Sequence, residues 1–191
     1  MARWKEALNE KDQVILKQTR DIASIRYAIS YVKDAAEMSR YRAYCGPSVY
    51  LAAKLERKHA LDEALQMAGT ADELWLCRGD LGAELGVAAM AKAVYRFSAR
   101  VREFSIPVHL AGQVLEHMVE HPTPTRSEIC YLYEAHKKGS TASSFRMKPP
   151  SVTTRSRAAG LPLSLWSARR TLYSRRAASA SGFWLTPKPL L

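Results

Sequence analysis

Apolar and polar residues alternate along the first 139 positions in two rhythms. Residues 9–21 are polar, with Val14, Ile15 and Leu16 gathered on one side, which predicts a helix. Residues 24–32, Ser-Ile-Arg-Tyr-Ala-Ile-Ser-Tyr-Val, are rich in β-branched and aromatic side chains and predict a strand. The pattern then repeats. A helix is predicted over 34–44 and a strand over 48–53, directly after Gly46-Pro47. Residues 57–67 read as a helix and 72–77 as a buried strand. Residues 86–104 carry Val87, Met90, Ala91, Val94 and Tyr95 at helical spacing, and 106–111 form a fourth strand. Thr125-Arg126-Ser127-Glu128 has the form of a capping box, in which hydroxyl and carboxylate satisfy backbone N–H groups at a helix start. That helix runs to about Lys138, and Gly139 is placed to stop it.

Four strands separated by helices of this size argue for βα units and a parallel sheet. The pattern leaves open whether the sheet closes into a barrel or stays open and doubly wound. No repeat recurs within the chain. Beyond position 139 the rhythm is lost and Ser, Arg, Ala and Pro dominate; residues 161–172 have the composition of a short helix.

Charge marks the same boundary. The net charge is +11, yet residues 140–191 hold nine of the 29 Lys and Arg and none of the 18 Asp and Glu. Residues 1–139 are therefore close to neutral, and 140–191 form a basic tail that the composition predicts to be disordered. A basic tail suits a nucleic-acid arm, because clustered cations attract phosphate. A non-enzymatic module binding nucleic acid through this tail is the alternative functional reading. Against it, the tail has few aromatics and no recognition motif. No apolar run is long enough to cross a bilayer, and the first residues lack the apolar stretch of a secretion leader. Three widely spaced cysteines, Cys45, Cys77 and Cys130, suit neither a disulfide framework nor a zinc site. Together these predict a cytoplasmic protein without a membrane partner.

Candidate chemistry stands at the ends of predicted strands. Lys54 and Glu56 lie two apart on extended backbone and so point to one side. Asp80 follows the next strand, in Arg78-Gly79-Asp80-Leu81-Gly82, where Gly79 and Gly82 are placed to shape a turn. In parallel α/β folds the carboxyl ends of the strands carry the active site, since the βα loops converge there. Two carboxylates suit Mg²⁺, and a lysine beside the metal stabilises developing negative charge. On spacing alone, such residues are more often solvated loop positions.

The surrounding motifs are more specific. Leu76-Cys77-Arg78-Gly79-Asp80-Leu81-Gly82-Ala83-Glu84-Leu85 resembles the pyruvate kinase stretch apolar-Ala-Arg-Gly-Asp-Leu-Gly-Val-Glu. Ala53-Lys54-Leu55-Glu56 is similar to that family's Lys-Ile-Glu strand end. Gln113-Val114-Leu115-Glu116-His117-Met118 and Pro122-Thr123-Pro124-Thr125-Arg126-Ser127-Glu128 resemble its Thr-Gln-Met-Leu and Asn-Pro-x-Pro-Thr-Arg-Ala-Glu run. Leu8-Asn9-Glu10-Lys11-Asp12 and Ile29-Ser30-Tyr31-Val32 match its Leu-Ser/Thr-Glu-Lys-Asp and Ser-Phe-Val signals. The matches fall in order between positions 8 and 139.

The resemblance implies an α/β fold, an incomplete TIM (β/α)8 barrel represented by about strands four to seven, with residues 1–139 as the partial catalytic barrel. It implies phosphoryl transfer from phosphoenolpyruvate to ADP, giving pyruvate and ATP in glycolysis. Lys54 would be the catalytic lysine near the transferred group. Glu56 and Asp80 would bind Mg²⁺, and the backbone at Gly79 and Asp80 would hold the substrate carboxylate. K⁺ belongs to the complete family enzyme, and its ligands fall outside the matched stretch.

Departures from the family follow. Gly112 stands where the family has Thr before Gln, so a hydroxyl is lost. The first three barrel strands, the lid domain and the C-terminal domain have no counterpart, which predicts a fragment inactive on its own. Such a fragment needs a complementing polypeptide or a second copy to cover its exposed strand edges. The eighth strand should follow Gly139, with a Leu-Ser-Gly-Glu-Thr-Ala signal. Codons permitted for residues 141–150, read in another frame, spell Ser-Phe-Val-Leu-Ser-Asp-Glu-Thr-Ala. The tail is accordingly read as the product of a frameshift near Gly139.

Overall fold

The computed structural model describes residues 8, 10–22, 25–143 and 183–185. They fall into two compact units, Met1–Trp75 with Leu172–Leu191, and Leu76–Thr171.

The first unit opens with α1 (Glu10–Thr19), whose first turn carries Glu10 and Asp12 and whose last carries Lys17, the charge order a helix dipole favours. Thr19 joins this helix to β1 (Arg26–Ile29): its hydroxyl donates to the Ile15 carbonyl at 2.6 Å and lies 2.7 Å from Tyr27 Oη. Next comes α2 (Ala35–Cys45), capped by Asp34, which accepts the Glu37 N–H at 2.7 Å. It ends at Gly46, whose φ of +102° is a conformation that glycine enters without steric cost. β2 (Tyr50–Leu55) lies parallel to β1, from Arg26 opposite Tyr50 to Ile29 opposite Ala53. α3 (Lys58–Asp62) and α4 (Ala64–Met67) then lead to β3 (Glu73–Cys77), buried throughout.

Arg42 of α2 ties these pieces together. It donates to the carbonyls of Thr70 (2.8 Å) and Val49 and pairs with Asp72 at 2.6 Å, while Asp72 accepts the Leu51 N–H at 2.7 Å. The unit's core is Tyr27, Ile29, Met38, Tyr41, Leu51, Leu55, Met67 and Leu74.

In the second unit α5 (Arg78–Leu85) starts as β3 ends, and α6 (Val87–Ala99) follows after Gly86. A 3-10 turn at Val101–Glu103 leads to β4 (Val108–Ala111), and another at Glu116–Val119 leads to α7 (Arg126–Lys137). The capping box on α7 is formed: Thr125 Oγ1 accepts the Glu128 N–H at 3.2 Å and Glu128 Oε2 accepts the Thr125 N–H at 2.8 Å. Gly139, at φ +99°, follows the helix end. Leu81, Val94, Phe97, Val108, Leu110 and Ala135 are buried, and the Phe97 and Phe104 rings lie 5.4 Å apart.

The alternation of parallel strands and helices is the one the residue pattern required. Several details differ. The single helix expected over 57–67 is divided at Glu63 into α3 and α4. The helix expected over 86–104 ends at Ala99 and continues as the 3-10 turn. The strand expected over 24–32 is shorter, Arg26–Ile29. Two strands arise in the 140–191 stretch, where none was expected. β5 (Thr141–Ser143) lies parallel to β4, with His109 opposite Thr141. β6 (Phe183–Leu185) lies parallel to β1 on the side away from β2, with Tyr27 opposite Phe183. The helix weighed for 161–172 lies outside the described residues.

Candidate active site at the strand ends

Strand β2 presents its first candidate from a strip of small and aliphatic residues. Leu51, Ala52, Ala53 and Leu55 are buried, and Lys54 is the polar interruption. Glu56 follows the strand's last residue. The two-residue spacing does place both side chains on one side: Lys54 Nζ forms an ion pair with Glu56 Oε1. Lys54 also donates to Ser30 Oγ at 3.0 Å, and the Tyr31 N–H donates to Glu56 Oε2 at 2.6 Å.

Burial decides the character of this pair. The Glu56 side chain is 1% exposed and that of Lys54 19%. A carboxylate taken out of water is costly unless a cation and hydrogen bonds replace its hydration. Here the ammonium and a backbone N–H do so, which locks both side chains in position. The N–H comes from strained backbone. Tyr31 has φ +55°, a left-handed conformation that is uncommon for an aromatic residue. Such strain persists where surrounding contacts over-determine it.

In the second unit the site residues sit differently from expectation. Arg78-Gly79-Asp80-Leu81-Gly82 is not a turn; it is the opening of α5. Gly79 and Asp80 therefore lie in the first turn of a helix, where backbone N–H groups lack intrahelical partners and the helix dipole is positive. A Cβ built on Gly79 would meet nothing within 4 Å, so the space beside that backbone is open. Asp80 is half-buried. The helix start is anchored by Arg78, whose Nη2 donates to the carbonyls of Gly112 (2.7 Å) and Gln113 (3.1 Å).

The loop after β4 is itself strained. Gly112 has φ +77°, and Gln113 and Leu115 have φ of +48° and +57°. The glycine at position 112, a departure from the motif it resembles, thus occupies a conformation where a threonine would be strained.

The structure joins Lys54 to Glu56 within the first unit and sets Gly79 and Asp80 on one helical turn within the second. No three His, Cys, Asp or Glu side chains cluster into a ready metal cage among the described residues. Glu56 and Asp80 do supply carboxylate oxygens, the donor type that Mg²⁺ takes. Three contributors were not singled out from sequence: Ser30, Tyr31 and Arg78. All lie inside the family-like motifs, so the signal was present as resemblance and absent as chemistry.

Parallel strands alternating with helices, with charged side chains at strand carboxyl ends, define a domain of the α/β class. The family model described as pyruvate kinase, barrel domain, matches residues 4–144. The chain belongs to the pyruvate kinase family, and its fold is an incomplete (β/α)8 barrel of that type. It is 31% identical over 139 residues to plastidial pyruvate kinase 3 of Arabidopsis thaliana, covering 71% of this chain and 24% of the relative. It is 32% identical over 119 residues to pyruvate kinase isozyme G of Nicotiana tabacum, covering 61% and 21%. It is 34% identical over 124 residues to a pyruvate kinase of Agrobacterium vitis, covering 63% and 25%. The chain spans about a quarter of the length of these relatives. The two plant relatives are described as plastidial or chloroplastic, so kinship does not single out the cytoplasm. No helix among the described residues is long and apolar enough to cross a membrane.

Proposed function

We propose that residues 1–139 carry part of a phosphoryl-transfer site that acts on phosphoenolpyruvate and ADP, and that the chain alone does not turn over. The observation that carries this reading is the Lys54–Glu56 pair at the end of β2, with Ser30 and Tyr31 holding it from the end of β1. Lys54 neutralises charge on the transferred phosphoryl group. Glu56 in the first unit and Asp80 in the second are the carboxylates that would hold Mg²⁺, which would supply positive charge to offset that of the phosphoryl group. The Gly79 and Asp80 N–H groups, at the start of α5, receive the substrate carboxylate. Positioning and charge stabilisation supply most of the rate in such transfers, so a rigid lysine–carboxylate pair is the appropriate device.

The inactive reading concerns these 191 residues tested by themselves, which span about a quarter of the relatives' length. A complementing polypeptide or a second copy would have to supply the remaining strands and their loops. Residues 140–191 stand apart as the product of a shifted reading frame; gene sequencing tests this, and codons unable to spell the Leu-Ser-Asp-Glu-Thr-Ala motif would refute it. A reducing compartment suits the three free cysteines, and we place the protein in the cytoplasm. The decisive assay couples pyruvate formation to a dehydrogenase, with phosphoenolpyruvate, ADP, Mg²⁺ and K⁺ present. The full chain should give no signal above background. Turnover in the ordinary enzyme range of roughly 1–1000 per second would overturn the inactive reading.

A further inference from the structure

A cavity of about 260 Å³ lies within the second unit, between α6 and α7 and beside the first residue of α5. Its walls combine aliphatic and charged groups. Met90, Ala91, Val94 and Ala135 supply the apolar part, Arg78 and Lys138 bring positive charge, and Glu134 brings one negative charge. The two cations are not equivalent. Lys138 pairs with Glu134 at 2.5 Å and lies 4.5 Å from the centre of the Tyr95 ring. Arg78 has no carboxylate partner among the described residues; it donates to two neutral carbonyls and stacks on Tyr131, 4.8 Å from the ring centre.

The stacked pair is also incompletely satisfied. Arg78 Nε and Tyr131 Oη are both out of solvent, and neither has a hydrogen-bond partner among the described residues. Buried polar groups left this way cost free energy, and each such group calls for an explanation. An acceptor that reached both atoms would remove the cost, and a negative charge would answer the unmatched guanidinium. Both atoms are out of solvent, although both residues line the cavity. A guest must therefore displace the half-buried Tyr131 ring from the guanidinium to reach them.

We propose that this cavity binds a small carboxylate with an apolar body, its oxygens taking Arg78 Nε–H and Tyr131 Oη–H and its body lying against Met90, Ala91 and Val94. The volume falls just below the roughly 300–1000 Å³ of sites for drug-sized ligands, which restricts the guest to about one ring or one branched chain. The carboxylate is favoured over a phosphate dianion because the second cation of the lining, Lys138, is already paired with Glu134.

Titration calorimetry and thermal shift on the full chain test this, with sodium benzoate as probe and benzamide as its neutral isostere. Benzoate should bind and raise the melting temperature, with benzamide at least about tenfold weaker, the factor expected for one charge-assisted hydrogen bond. Tyr131→Phe keeps the ring and removes only the hydroxyl, so it should weaken benzoate roughly fivefold or more without lowering the melting temperature of the free protein. Met90→Trp fills the cavity and should abolish binding. Equal affinity for benzoate and benzamide, no binding of benzoate, or benzoate binding unchanged in both variants would each overturn the proposal.

Discussion

The two places that hold the candidate site residues are built on opposite plans. At the end of β2, Glu56 is buried and held from two directions, by an ammonium and by a strained backbone N–H. At the start of α5, Asp80 is half-buried on a helical turn, and the anchoring is done by Arg78 in the same turn and by Leu81, which has no exposure. The first place spends folding energy on fixing charged side chains. The second fixes a backbone and leaves its surroundings open. A carboxylate that folding has already positioned is suited to hold an ion steadily. A helix start with open space beside a glycine is suited to admit a ligand.

The contrast makes its largest prediction at Glu56. Glu56→Ala removes the carboxylate from a buried ion pair and should cost about 3–5 kcal/mol in urea unfolding; a cost below about 1 kcal/mol would show that burial does not lock this pair. Leu81→Ala tests whether the second place rests on apolar packing. It should cost about 3 kcal/mol, and an unchanged urea midpoint would remove the reason given for a helix at this point. Thr125→Ala deletes one arm of the α7 capping box and should cost about 1 kcal/mol.

A pH effect belongs to the same box. Burial raises the Glu128 carboxyl, but the N–H groups of His117 and Thr125 and the Thr125 hydroxyl outweigh it and hold it below its ordinary 4.5. A carboxyl depressed in the folded state contributes stability that is present above its unfolded pKa and lost as pH falls through the folded one. Stability should therefore decline below about pH 4.5 in a way that Glu128→Gln flattens; parallel pH profiles for the two proteins would count against this. The smallest effect is expected at Asp80→Asn. At a half-buried helix start it should change stability by no more than about 0.5 kcal/mol, while Glu56→Gln costs several times as much. Equal losses would erase the distinction between the two places.

The fold was legible where the chain's rhythm is strong. The strand around 48–53 and the buried run 72–77 stand out because parallel strands are covered on both faces and carry nearly unbroken apolar residues. The α7 start could be read from four residues, because a capping box is a local arrangement. Of the candidate site, the Lys54–Glu56 juxtaposition was legible too, since side chains two apart on a strand share a face. Position 78–85 was not legible as a helix. Two glycines lower its intrinsic propensity by about 1 kcal/mol each, and the contacts that oppose this, the complete burial of Leu81 and the hold of Arg78 on Gly112 and Gln113, are tertiary. The strands at Thr141–Ser143 and Phe183–Leu185 were also missed: three residues are too few for alternation to register, and what defines them is pairing with β4 and β1.

By itself, the sequence determined the kind of layered α/β unit, the boundary of composition near Gly139, and the local devices of caps and strand faces, because these depend on residues a few positions apart. Tertiary structure alone decided that Tyr31 would adopt a left-handed backbone to reach Glu56, 25 positions away. It also decided that Arg78 would hold the backbone of Gly112, 34 positions on. Contacts of that kind arise only when strand ends are brought side by side, and no local pattern encodes which partner will be waiting there.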